Sequence, residues 1–140
     1  MATMRIMIVA RPSLMRNSLL AFLRGMPQAD IIALADDAVT ALQKAQLHQP
    51  EVVVVDMDLE DGALDLIRNL HHEPSSPRSV ALANNFYQQK RFLEAGASVA
   101  LLKGSLEEQL QNAVLNEAST NSSGYSVIDR EQILRIVSSL

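Results

Sequence analysis

Four consecutive valines followed by a carboxylate, Val52-Val53-Val54-Val55-Asp56, constrain this chain more than any other feature. A run of β-branched residues this short favours a strand. With no polar position in it, neither side can face water, so such a strand lies in the middle of a sheet covered on both faces. That arrangement belongs to parallel sheets, whose crossovers are helices. The sequence on either side should therefore alternate between strand and helix patterns.

It does. Met4–Val9 is a short apolar run. From Ser13, which can cap a helix, Met15, Leu19, Phe22, Leu23 and Met26 recur at helical spacing until Gly25 and Pro27. Ile31–Ala35 reads as a strand, and Asp36 or Asp37 caps a helix carrying Ala38, Leu42 and Ala45 that stops at His48-Gln49-Pro50. After Asp56 a helix starts near Ala63, with Leu64, Ile67 and Leu70 spaced for one face. Ser79–Ala83 is a fourth strand, Gln88–Ala95 a helix ended by Gly96, Val99–Leu102 a fifth strand, and residues 106–117 a fifth helix. Five β-α units predict an α/β fold: a doubly wound, five-stranded parallel sheet of flavodoxin-like (βα)5 type. Its chemistry belongs at the carboxyl ends of the strands, where Ala10-Arg11, Asp36-Asp37, Asp56, Ala83-Asn84 and Lys103 stand.

Residues 1–117 form the predicted domain. Residues 118–140 are a small, polar linker followed by an amphipathic helix opening near Asp129, with Ile133, Ile136, Val137 and Leu140 on one face. Such a short helix needs a partner for its apolar face. Ending inside a helical pattern, the sequence reads as a piece of a longer regulator. No apolar run approaches a membrane span, and arginines interrupt the N-terminal stretch, which favours a cytoplasmic location without membrane contact. The net charge of -4 opposes direct nucleic-acid binding. With no cysteine there is no disulfide or thiolate metal site. No glycine-rich phosphate loop follows the first strand, and no nucleophile–base pair stands at the strand ends, which argues against an enzyme. Asp58, Glu60 and Asp61 are weak metal candidates beside Asp56, but their spacing is not that of a calcium loop. Adjacent His71 and His72 point apart on a helix and read as an exposed helix end.

The five units, the Asp after the third strand and the Lys after the fifth resemble the CheY-like receiver domains of two-component response regulators, over about residues 4–117. Pro12–Arg16, Leu93–Ala97 with Leu101-Leu102-Lys103, Ser105–Leu110 and Gly124–Asp129 resemble the NarL/FixJ type. The resemblance implies that Asp56 is the position that accepts a phosphoryl group from a histidine kinase, that Lys103 pairs with the phosphate, and that DNA is reached only through a C-terminal domain outside this chain. It also implies departures. Ala10-Arg11 replaces the acidic pair that holds Mg²⁺. Ala83 replaces the switch hydroxyl, Ala100 the switch aromatic, and the loop after Asp56 is shorter than the family's.

On the resemblance the chain is an atypical receiver, without a cofactor, that regulates transcription as a homodimerising module independent of phosphorylation or only weakly phosphorylated. Arg11 is expected near Asp56, supplying positive charge in the metal's place. The dimer face is expected on the fourth and fifth helices, beside Phe86, Tyr87 and Phe92, or on the first and fifth. The alternative is a functioning phospho-acceptor in which Asp58 or Glu60 helps hold Mg²⁺.

Overall fold

The computed structural model describes residues 3–103, 113–115 and 127–129. Its strands and helices alternate: β1 (Met4–Ala10), α1 (Leu14–Arg24), β2 (Ala29–Ala35), α2 (Ala38–His48), β3 (Val52–Asp56), a short 3-10 helix (Leu59–Asp61), α3 (Ala63–His72), β4 (Arg78–Ala83), α4 (Phe86–Ala95) and β5 (Val99–Leu102). The first five strands are parallel in the order β2-β1-β3-β4-β5, so β3 is central.

The valine run does what its composition requires. Val53 and Val55 pack on one face with Leu66, Ile67 and Leu70 of α3 and Phe92 and Leu93 of α4. Val52 and Val54 pack on the other with Leu19, Leu20 and Leu23 of α1 and with Ala113 and Val114. Alternate side chains thus feed two cores, which is why no polar residue interrupts the run.

Local chemistry fixes the helix ends. Ser13, Asp37 and Asn85 each have an extended backbone and accept a bond from the N–H three residues on. Asn85 starts α4 at Phe86, two residues before the apolar pattern does. Gly96 ends α4 at φ +114°, a conformation that favours glycine, and a Cβ there would stand 3.0 Å from the His71 ring, which would have to give way.

The sheet has one strand more than the β-α count predicts. Val127–Asp129 forms β6, antiparallel to β5. These residues look polar-flanked and linker-like in sequence, and Asp129, the expected helix cap, is the last residue of this strand. The partner supplied by β5 decides this, since so short a strand has no signal of its own. The helix expected over 130–140 lies outside the described residues.

Candidate functional site

The parallel register delivers the site. Ala10, the last residue of β1, pairs with Asp56, the last of β3, so both strands end at one level. Lys103 follows directly on β5. A cleft of about 230 Å³ opens there, lined by Arg11, Ser13, Met15, Asp56, Met57, Asp58, Asp61 and Lys103.

Its charges are arranged in pairs. The Lys103 ammonium lies 2.7 Å from the Asp56 carboxylate, and the two side chains are only 26% and 10% exposed. Arg11 also lines the cleft, but its guanidinium bonds Asp61 at 2.7 Å and not Asp56. Arg11 thus shares the cleft with Asp56, while its direct ion-pair partner is Asp61. The reason is local: the 3-10 turn after β3 carries Asp61 to the cleft mouth, where an arginine that is 70% exposed meets it without losing its water. A third cation, Arg16, reaches from the first turn of α1 to Asp36 at 2.5 Å and to the Ala10 carbonyl at 3.4 Å.

Ala83, the last residue of β4, and Ala100, the second residue of β5, are fully buried. The Ala100 carbonyl accepts a bond from the buried Gln89 amide of α4 at 3.0 Å. Neither position offers a hydroxyl or a ring.

The donor set does not suit the Mg²⁺ that the receiver resemblance implies. That ion takes oxygen ligands in near-octahedral geometry. Here β1 ends in a methyl and a guanidinium, and Asp56 and Asp61 already hold cationic side chains. Asp58 reaches the cleft wall, whereas Glu60 is exposed and does not line it. Among the described residues no group of three or more His, Cys, Asp or Glu is placed to hold a metal. His71 and His72 are exposed with their rings nearly edge to face, 5.4 Å apart.

Sequence reasoning brought Asp56, Lys103 and Arg11 to one edge but overlooked Arg16 and Gln89. Arg16 carried no signal, because its partner Asp36 is twenty positions away on another strand end. Gln89 did carry one: it sits three and four residues before Phe92 and Leu93, on the apolar face of α4.

A parallel α/β sheet with a lysine-paired aspartate at its central carboxyl edge defines a receiver-type domain. The model of the response regulator receiver domain family matches residues 6–115. The chain belongs to that family, as the receiver domain of a two-component response regulator. It is 29% identical over 115 residues to the oxygen regulatory protein NreC of Staphylococcus epidermidis, covering 79% of this chain and 53% of that protein. It is 27% identical over 114 residues to the transcriptional regulatory protein LiaR of Bacillus subtilis, covering 79% and 54%. The chain thus spans about half the length of these relatives. The signal receiver domain of the putative response regulator NarL from Mycobacterium tuberculosis has the same fold, with a TM-score of 0.73 at 22% identity over 83% of this chain and 96% of that one. A LuxR-family regulator from Aurantimonas shares the fold at a TM-score of 0.73 and 19% identity, over 99% of this chain and 100% of that one. No described helix is long and apolar enough to cross a membrane.

Proposed function

We propose that this receiver domain works without a phosphorylation switch, as a cytoplasmic dimerisation module of a transcription regulator whose DNA-binding part lies outside this chain. The observation that carries the reading is that two of the cleft's three carboxylates are held by the chain's own cations: Asp56 by Lys103 and Asp61 by Arg11, each at 2.7 Å. A ligand shifts a conformational equilibrium only through different affinity for the two states. With alanines at 83 and 100, an incoming phosphoryl group finds at those two positions no hydroxyl to draw in and no ring to turn. Gln89 further ties α4 to β5 beside Ala100. A domain that phosphate does not switch still serves if it assembles without phosphate, and paired half-sites on DNA call for dimeric regulators.

One observation favours a second reading. Asp56 and Lys103 keep the relative placement a phospho-acceptor needs, with Asp58 on the same cleft wall. In that reading a histidine kinase is the partner.

Incubation with Mg²⁺ and acetyl phosphate separates the two, read by intact mass and by sedimentation. The expected result is no phosphoryl adduct and no change in association. A saturable, Mg²⁺-dependent adduct that disappears in Asp56→Asn, together with altered association, establishes the second reading and overturns the first.

A further inference from the structure

The parallel part of the sheet ends at β5, and the three residues of β6 pair with its outer edge. Val99 pairs with Asp129, Ala100 with Ile128 and Leu101 with Val127. The Ser98 N–H donates to the Ser79 carbonyl at 2.9 Å, so the backbone of Ser98 faces β4. By the alternation of a strand, the N–H and C=O groups of Val99 and Leu101 face the opposite way, towards β6. Without β6 they would form an open row of donors and acceptors at a sheet edge, which is a template for pairing with another chain.

From this we infer that the β5 edge is the self-association surface of the domain, and that β6 is a latch competing for it. The inference rests on the dimeric reading above and adds its surface and its regulation. The partner is a second copy. Two β5 edges related by a two-fold axis run antiparallel, the same sense in which β6 already pairs, so the edge is self-complementary. The latch is weak enough to open, because three residues make few ladder bonds and strands this short have little stability of their own. It stays close because the same chain supplies it, at the high effective concentration of a tethered segment. Apolar surface lies nearby on α4, which packs against β5: Phe86 is 53% and Tyr87 62% exposed. Phe92, by contrast, is fully buried and takes no part.

Both edges must be open for two copies to join, so each protomer contributes its open fraction to the apparent affinity. An edge covered about nine-tenths of the time weakens association about a hundredfold. Two full-length variants test this by sedimentation across micromolar concentrations, without Mg²⁺ or phosphate. Val127→Pro removes an N–H that faces Leu101 and should release the latch. Ala100→Cys with Ile128→Cys should close it, since facing residues of a non-hydrogen-bonded antiparallel pair lie about 4.5 Å apart, within the bridging range of about 4.4–6.8 Å. The chain has no other cysteine to interfere.

The expected result is tighter dimerisation of Val127→Pro than of the wild type, and a monomeric oxidised cysteine variant that regains dimerisation on reduction. If Val127→Pro fails to fold, the oxidised-to-reduced comparison alone decides. Equal dimerisation of the oxidised and reduced forms overturns the latch but leaves the dimeric reading standing. Disulfides formed between chains also overturn it, since β6 would then be exchanged and not held. If no form dimerises, the latch and the dimeric reading fall together.

Discussion

At the amino end of the sheet the arginines point at backbone carbonyls; at the carboxyl end the cations meet carboxylates. Arg5, from β1, donates to the carbonyls of His48 and Gln49, the last two residues of the α2 terminus. Those carbonyls have no partner within the helix, and Gln49 holds a left-handed backbone before Pro50. Arg78, at the start of β4, donates to the Ala113 carbonyl at 2.9 Å and so ties helical residues 113–115 to the sheet. Burial disfavours its charge and lowers its pKa. At the other end Arg11, Arg16 and Lys103 each hold an aspartate. A cation on a carbonyl completes a helix end and leaves its charge unbalanced. A cation on a carboxylate cancels a charge that a ligand could otherwise have used. The first arrangement is about folding, the second about what the cleft can bind.

The largest expected effect breaks the carboxyl end. Lys103→Met leaves Asp56, which is 10% exposed, without its counter-charge. Stranding one member of a wholly buried pair costs about 3–5 kcal/mol. This pair is partly solvated, so about 2–3 kcal/mol is expected near neutral pH at low salt. The loss should shrink as salt is added, because ions screen a partly exposed pair. Urea unfolding at several salt concentrations checks it. A loss that does not vary with salt would show that packing of the lysine stem matters and not its charge.

Breaking the amino end should cost less. Arg78→Met keeps the apolar stem but leaves the Ala113 carbonyl without this donor, at about 1–2 kcal/mol. Because no opposite charge is stranded, the loss should stay level across the same salt range. Parallel urea titrations of the two variants sharpen the contrast: one salt-dependent loss and one flat one. Two losses with the same salt dependence would erase the distinction between the ends.

The two ends also differed in how far the sequence revealed them. The core was open to reading because each valine of β3 reports its own burial, and the register follows from alternation. Asp56 and Lys103 were found because strand ends in a parallel sheet converge on one edge. The partner of Arg11 was not found. It depends on a turn of 3-10 helix at Leu59–Asp61, whose acidic residues carry no periodic pattern. β6 was missed for a related reason: three residues pair only because an edge is waiting for them, and that edge is far off in sequence. Contacts made by a chain with its neighbours in sequence leave a pattern. Those made through a loop to a distant element leave almost none.

The smallest effect lies beside the cleft, at a carboxylate held by backbone and not by a cation. Asp37 caps α2, accepting from the Thr40 N–H at 2.7 Å. That backbone bond, first among the causes, holds its carboxyl below the ordinary carboxylate range. The folded chain therefore keeps Asp37 ionised at pH values where the unfolded chain has begun to protonate it. The resulting stabilisation is fully present above the ordinary aspartate value of about 3.9 and is lost as the pH falls through the lower folded value. Asn caps helices about as well as Asp and carries no charge. Asp37→Asn should thus match the wild type near neutral pH and gain on it in acid, where only the wild type loses its cap charge. Thermal unfolding of both proteins between pH 7 and about pH 3 reads the difference. A stability gap that stays constant over that range would mean that the cap's strength does not depend on its charge, and that the carboxylate in this region differs from Asp56 only in its neighbours.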